Sequence, residues 1–284
     1  MSISEHRIAD LMRFEPRTQQ SAIPAQASSS EVCAPAEIAD RLCLWSSGKV
    51  ALSFERLAAL GILGGLYIGF GGALATMVVS ESSLGAGPTR WLGGIAFSLG
   101  LVLVCLGGAE LSTGNCLMAM ARLRRLITAR QLWRNWTLSY LANGLGALGL
   151  AWIVFNSGVY DAEPLRSTAI RIAEAKLALS PAQAFLKGVL ANALVCLAVW
   201  LSFASHNAVG KVLGIVFPIS AFVALGFEHS IANLYLIPAG LMAGAAGGLP
   251  DLARNIAWVT GGNLIGGAVV VPVLLWLGHA RRQG

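Results

Sequence analysis

The sequence predicts an all-α membrane protein with six transmembrane helices, arranged as two inverted three-helix repeats whose second and fifth helices are broken. The prediction rests on the composition, on the lengths of the apolar segments and on an internal repeat. Of the 284 residues, 56% are hydrophobic and 12% are charged, whereas soluble proteins average about 45–50% apolar and about 25% charged residues. We therefore expect a lipid bilayer to surround much of the chain.

Six apolar segments are long enough to cross a hydrocarbon core of about 30 Å, which takes roughly 20 helical residues. They cover residues 57–79, 91–122, 132–155, 184–204, 211–243 and 256–277. The second and fifth segments are too long for one plain span and contain glycine and polar residues, which indicates helices broken at membrane depth. An open sheet is excluded, because lipid cannot satisfy its edge.

Residues outside these segments set the domain boundaries. Residues 1–34 are polar and Ser/Ala-rich, without the apolar stretch of a signal peptide, so we predict a disordered cytoplasmic tail there and one transmembrane domain over residues 35–284. The five cysteines show no paired spacing and are interpreted as small core residues, neither disulfides nor metal ligands. No metal or cofactor is predicted.

The basic residues predict orientation. The net charge of +6 could suggest nucleic acid, but the arginines and lysines cluster at segment edges, where lipid headgroups lie, so no nucleic-acid partner is expected. Segment 122–134 holds five arginines and no acid, which places it in the cytoplasm. With six spans both termini lie on that side of a bacterial-type inner membrane. The opposite side receives loop 156–183, whose Lys176 and two arginines run against the rule.

An internal repeat relates the two halves of the chain. Glu110 and Glu228, 118 positions apart, each follow a glycine by two positions and precede an asparagine by five. Asn143 and Asn263, 120 positions apart, each begin an Asn-X-X-Gly motif in the following segment. Halves of three helices must insert with opposite orientation, and in such inverted repeats the substrate site lies near the midplane, at the broken helices.

The polar residues within the apolar segments are the candidates for chemistry. Glu110 and Glu228 are interpreted as structural acids that accept hydrogen bonds from backbone N–H groups freed at the breaks. His229, the one histidine in a predicted span, is either a satisfied core residue or, as we favour, a pore-lining proton donor. Thr113 lies in the polar stretch 111–115, which either presents donors to an anion or forms a hydrogen-bonded kink.

Three stretches of sequence resemble the signature of the formate/nitrite transporter family. They are Gly-Phe-Glu-His-Ser-Ile-Ala-Asn at 226–233, Gly-Ala-Glu-Leu-Ser-Thr-Gly-Asn at 108–115, and segment 191–200. The resemblance runs in order from about residue 35 to the end of the chain. It implies an aquaporin-like fold without NPA motifs and a homopentamer in which each protomer has its own pore. It also implies a channel or transporter for a small monovalent anion or its weak acid, formate or nitrite, with a hydrosulfide channel of the same fold as an alternative.

The resemblance also assigns roles to individual residues. The family's central histidine corresponds to His229, its loop threonine to Thr113, its pore asparagine to Asn192 and its vestibule lysine to Lys176. Its narrow apolar rings correspond to Phe97 and Leu101 on one side of the centre and to Val195 and Phe222 on another, and the loop residue Leu111 is counted with the constriction. Ser112 departs from the family, whose members usually carry phenylalanine after the loop leucine, so the loop constriction is expected to be wider or closed differently.

The chemistry of such a constriction favours a neutral solute. A bare anion among apolar side chains loses several kcal/mol of hydration, whereas a neutral weak acid loses only hydrogen-bond partners. A proton is therefore an expected partner, and channel and proton-symport modes both stay open. A membrane-embedded enzyme using Glu228 and His229 is disfavoured, because adjacent helix residues do not face each other. A neutral-solute facilitator would show flux without pH dependence.

Overall fold

The computed structural model describes residues 32–280, with residue 280 described by its backbone alone. Residues 1–31 of the predicted tail and residues 281–284 lie outside this range. Within it the regular structure is helical, apart from an isolated antiparallel bridge between Val32 and Ser205. The prediction of an all-α membrane protein is confirmed.

The helices fall into two halves. The first half contains α1 (Pro35–Val50), α2 (Phe54–Ser80), α3 (Ala86–Gly107), α4 (Ser112–Asn115), α5 (Ala119–Leu123) and α6 (Ala129–Asn156). The second half contains α7 (Leu165–Leu177), α8 (Pro181–Ala204), α9 (Ala208–Ala224), α10 (Ser230–Ala243), α11 (Leu249–Leu264) and, after a π-helical turn (Ile265–Val270), α12 (Val271–Leu275). Helices α6 and α8 both begin with a capping box, in which Thr128 and Ser180 exchange hydrogen bonds with a glutamine three residues on.

Five helices of the described range are long and apolar enough to cross a membrane: α2, α3, α6, α8 and the continuous helix Leu249–His279. The fifth predicted span is divided between α9 and α10, which have 17 and 14 residues. Each is shorter than the roughly 20 residues of a full span. The total of six spans therefore stays a prediction.

Two glycines end the broken helices, as the repeat predicts. Helix α3 ends at Gly107, and Gly108 adopts φ +79° before α4 begins at Ser112. Helix α9 ends at Ala224, and Gly226 adopts φ +69° before α10 begins. This left-handed conformation is open to glycine and costly for residues with a Cβ. The chain therefore leaves the helix at equivalent points of the two repeats.

The repeat also governs how closely the helices pack. A Cβ on Gly146 would lie 2.1 Å from the Ile62 carbonyl oxygen, and a Cβ on Gly266 would lie 2.0 Å from the Val189 carbonyl oxygen. Both separations are far below van der Waals contact, so only glycine permits these backbones to touch. Small residues are the usual means of close helix packing in membranes. In the first half α6 thus touches the backbone of α2, and in the second half the π-helical turn after α11 touches the backbone of α8.

The prediction of a loop over residues 156–183 was wrong, because 13 of these residues form α7. Four of its residues, Thr168, Ala169, Ala173 and Leu177, are buried. A Cβ on Gly240 of α10 would lie 2.4 Å from Ala173 Cβ, so α7 packs tightly on α10. The charged residues on its outer face lowered the local hydropathy and concealed the helix.

Candidate functional site

A buried ion pair stands at the first helix break. Lys49 Nζ donates to Glu110 Oε1, and Asn115 Nδ2 donates to Glu110 Oε2 at 2.8 Å. Asn115 Nδ2 also donates to Asn135 Oδ1 at 2.8 Å. The Lys49 and Glu110 side chains are 9% and 6% exposed. The acid is thus neutralised and hydrogen-bonded, as a buried carboxylate must be.

The second break carries the same arrangement. Lys176 Nζ donates to both carboxylate oxygens of Glu228 at 3.1 Å. Asn233 Nδ2 donates to Glu228 Oε2 at 2.7 Å and to Asn255 Oδ1 at 2.8 Å. Lys176 lies near the end of α7, where its side chain is 15% exposed. Its charge is therefore balanced by Glu228.

Two asparagines, and not the glutamates, satisfy the backbone groups freed at the breaks. Asn143 Oδ1 accepts from the Ser112 N–H at 2.8 Å, and Asn143 Nδ2 donates to the Glu110 carbonyl at 2.7 Å. Asn263 does the same with the Ser230 N–H at 2.9 Å and the Glu228 carbonyl at 3.0 Å. The expectation that the carboxylates accept these N–H groups was wrong. An amide can pair with an N–H and a carbonyl together, which an ionised carboxylate cannot do.

His229 and Thr113 join the two breaks at the centre of the protein. Thr113 Oγ1 lies 2.9 Å from His229 Nε2, and His229 Nδ1 accepts from the Ala232 N–H at 3.1 Å. Because Nδ1 is an acceptor, the neutral ring carries its hydrogen on Nε2 and donates it to Thr113. The threonine hydroxyl hydrogen is then left to donate to another acceptor.

An apolar constriction adjoins the His229 ring. Its cavity, of about 10 Å³, is lined by Ile68, Phe97, Leu101, Leu111, Val195, Ile219, Phe222 and His229. The Phe97 and Phe222 rings meet edge to face, with centroids 5.5 Å apart. A space of this size holds about one water molecule. The structure brings together all five residues that the family resemblance assigned to a constriction. The predicted pairing was wrong, because Phe97 borders the same vestibule as Phe222, whereas Leu101 borders the other one.

Two wider cavities adjoin the constriction. The first vestibule, of about 310 Å³, is lined by Trp45, Lys49, Glu110 and Lys211 and shares Leu101 and Leu111 with the constriction. The second vestibule, of about 420 Å³, is lined by Arg90, Lys176, Lys187 and Glu228 and shares Phe97, Phe222 and His229 with it. The three cavities therefore adjoin in series.

The vestibules carry a net positive charge. Each contains one lysine paired with a glutamate, whose charges cancel. Lys211 in the first vestibule and Arg90 and Lys187 in the second make no ion pair with any residue of the described chain. Cavities lined by one sign of charge concentrate solutes of the opposite sign. Both therefore favour anions.

Three predicted residues are absent from the lining of these three cavities. Asn192 is fully buried, donates to the Asn263 carbonyl at 2.7 Å and lines neither vestibule nor the constriction. Ser112 and Thr113 line a separate side cavity with Trp133 and Trp136, and Thr113 meets the path through its contact with His229. The departure at position 112 consequently faces that side cavity, and the loop residue at the constriction is Leu111.

Sequence reasoning missed several residues of the path, among them the vestibule cations Arg90, Lys187 and Lys211. Lys49 was used only as a marker of topology, and Ile68 and Ile219 were not singled out. The repeat could have found these last three. Lys49 and Ile68 lie 127 positions before Lys176 and Val195, and Ile219 lies 118 positions after Leu101.

An all-helical membrane domain in which two cationic vestibules flank one apolar constriction defines a channel or transporter for a small solute. A sequence model described as "Formate/nitrite transporter" matches residues 36–277. The chain belongs to the formate/nitrite transporter family. This is a family of channels, so the alternative of an acid–base enzyme is set aside.

Individual relatives match over most of their length. The chain is 37% identical over 261 residues to the "Probable formate transporter" of Methanothermobacter thermautotrophicus, covering 85% of this chain and 95% of that protein. It is 38% identical to "Formate channel BtFdhC" of Bacillus thuringiensis, covering 82% and 91%. It is 33% identical to "Formate channel FocA" of Escherichia coli K12, covering 73% and 80%.

Solved structures share the fold. The chain is similar to a protein described as "FNT family ion channel", with a TM-score of 0.78 and 26% identity, covering 85% of this chain and 98% of that one. It is also similar to a "Pentameric formate channel with formate bound", with a TM-score of 0.70 and 31% identity, covering 80% and 98%.

Proposed function

We propose that this protein is a homopentameric formate channel of the cell membrane in which a proton accompanies the anion. The single observation that carries the proposal is the hydrogen bond between His229 and Thr113 at the apolar constriction. The names of the relatives favour formate over nitrite and hydrosulfide. The pentameric relative supports the assembly.

The charges and the constriction suggest a sequence of events. Lys211 on one side, and Arg90 and Lys187 on the other, raise the local concentration of the anion. His229 is the polar side chain that lines the constriction, and its contact with Thr113, which lines the adjoining side cavity, orients the ring. A proton passed through or near His229 then makes the neutral acid, which crosses the apolar side chains without the desolvation cost of an ion.

Flux through reconstituted protein tests this function. We expect formate uptake into proteoliposomes to exceed uptake of nitrite and hydrosulfide, and to rise as the external pH falls, because the permeating species gains a proton. Protein-free liposomes correct for passive leakage of the neutral acid. A faster nitrite or hydrosulfide flux would reassign the substrate, and pH-independent flux of an uncharged solute would point to a facilitator.

Orientation is a separate prediction. We propose that both termini lie in the cytoplasm, because the predicted span number is even and segment 122–134 is rich in arginine. Reporter fusions after Gly284 and at Gly158, in the turn before α7, should report opposite sides of the membrane. Equal signals from the two fusions would contradict the six-span arrangement.

A further inference from the structure

Three side chains with metal-binding atoms meet at the N-terminal end of α1, away from the transport path. Cys33, Glu37 and His206 place one ligand atom each within 4.8 Å of the others. Cys33 Sγ lies 3.2 Å from His206 Nε2 across 173 positions of sequence. Cys33 is 4% exposed, whereas Glu37 and His206 are exposed. The cluster is thus preformed on one side and open to solvent on the other.

The backbone holds this cluster in place. The Cys33 N–H donates to the Ala204 carbonyl at 2.8 Å, and Val32 pairs with Ser205. These contacts bind the segment before α1 to the turn between α8 and α9. They hold Cys33 and His206 on two adjacent backbone segments. Glu37 reaches the same point from the first turn of α1. A ligand set brought from two distant segments is preorganised for binding.

The chemistry and spacing of the donors fit a zinc-type ion. Thiolate, imidazole and carboxylate are the ligands that Zn²⁺ takes in proteins, and three protein ligands with a fourth open position are a common set. Tetrahedral coordination separates a sulfur and a nitrogen ligand by roughly 3.5 Å. The observed sulfur-to-nitrogen distance of 3.2 Å needs to open by only a few tenths of an ångström. The exposed Glu37 can adjust to complete the set.

A neighbouring cation limits the affinity. Arg41 Nη1 lies 2.8 Å from Cys33 Sγ and 3.0 Å from the Phe203 carbonyl oxygen. Its charge repels a metal ion close by. Without an ion, the same residues form a chain of hydrogen bonds from Arg41 through Cys33 to His206. A metal site predicts stronger metal binding when Arg41 is removed, whereas a hydrogen-bonded cluster alone predicts no gain.

We propose that Cys33, Glu37 and His206 bind a divalent transition-metal ion of the zinc type, which fastens α1 to the turn between α8 and α9. Binding exchanges the Cys33 thiol proton for the metal and releases that proton to water. Helix α1 also carries Lys49, the cation paired with Glu110 in the first vestibule. The metal would therefore hold the helix that supplies one wall of this vestibule.

Cobalt is a direct probe of the proposed site. Full-length protein purified without a histidine tag, reduced and freed of metal is titrated with Co²⁺, and the near-ultraviolet thiolate-to-cobalt absorption is recorded. We expect one equivalent per protomer to produce this band, and Zn²⁺ to displace it. Cys33→Ser should abolish the band, and His206→Asn should weaken binding by roughly tenfold or more. Absence of the band in the wild type would overturn the proposal.

A cysteine on the same helix provides the control. Cys43 is 2% exposed, and burial raises the pKa of its thiol, which disfavours a metal-binding thiolate. Cys43→Ser should leave the band unchanged. A band that survives Cys33→Ser, or that is lost with Cys43→Ser alone, would overturn the assignment.

Arg41→Gln separates metal binding from a hydrogen-bonded cluster. Removal of the guanidinium charge should strengthen Co²⁺ binding, because a cation no longer faces the metal. A purely structural role of Arg41 predicts no gain in affinity, so unchanged or weaker binding by an assembled Arg41→Gln protein would count against the site. Because Glu37 is exposed, Glu37→Gln should assemble normally and bind Co²⁺ more weakly, and unchanged affinity would remove Glu37 as a ligand.

Discussion

Replacing Lys176 with methionine is expected to destabilise the protein by about 3–5 kcal/mol, the usual cost of removing one partner of a buried ion pair. Glu228 is 4% exposed and would keep only the Asn233 amide as a hydrogen-bond donor to its side chain. A low-dielectric site penalises the isolated charge strongly. The apparent melting temperature of the detergent-solubilised assembly, followed by size-exclusion chromatography, measures the effect.

Two further variants test the cause of this loss. Arg254 is the surface control, because its half-exposed side chain pairs with Asp251 at 3.4 Å and donates one hydrogen bond to the Leu177 carbonyl at 3.0 Å. Arg254→Ala should cost less than about 1 kcal/mol, as exposed pairs do. Combining Lys176→Met with Glu228→Gln should restore much of the stability, because the unpaired charge is removed. Equal melting temperatures for Lys176→Met and Arg254→Ala would contradict the buried-pair interpretation.

His229→Asn is expected to lower proton-coupled formate uptake by roughly a hundredfold or more, which is typical of a lost proton donor, or to leave a pH-insensitive anion leak. His229 lines the constriction and shares a hydrogen bond with Thr113. Asparagine keeps a polar side chain but cannot titrate. It is also a good helix N-cap and can replace the bond from His229 Nδ1 to the Ala232 N–H. The measurement is proteoliposome flux across a range of pH.

Thr113→Val is the companion variant for this experiment. It removes the hydroxyl that contacts His229 Nε2 but leaves the titratable ring, so we expect slower transport with its pH dependence retained. Assembly of both variants is checked by chromatography. Wild-type pH dependence in an assembled His229→Asn protein would show that the ring is a structural donor and that protons reach the substrate by another route.

The repeat explains why so much of the fold was open to prediction. Glu110 and Glu228 are conspicuous in sequence because an acid within an apolar segment is costly, and their equal spacing from an asparagine marks both breaks. Gly108 and Gly226 then define where the helices end. Phe97, Leu101, Leu111, Val195 and Phe222 came from family resemblance, since apolar periodicity does not distinguish a constriction from any other core.

Other features depended on contacts between residues that are far apart in the sequence. Lys49 sits 61 positions from Glu110, so its pairing was hidden among basic residues assigned to topology. The double hydrogen bonding of Asn143 depends on the precise meeting of three segments. Cys33 and His206 are separated by 173 positions and come together only through the backbone bridge at Val32. In each case tertiary geometry decided which polar groups meet.

Leu111 and His229 occupy equivalent places in the two halves, with nearly identical backbone angles of −118°, 118° and −120°, 118°. One place carries an inert side chain beside the first vestibule, and the other carries a titratable ring beside the second. The backbone of the two halves is therefore nearly symmetric, but a titratable side chain stands beside only one of the two vestibules. Acidity in the compartment that meets the second vestibule should govern conduction, whereas the same acidity applied to the opposite face should be felt weakly. With the proposed orientation, the second vestibule faces the outside of the cell, so conduction should follow the external pH.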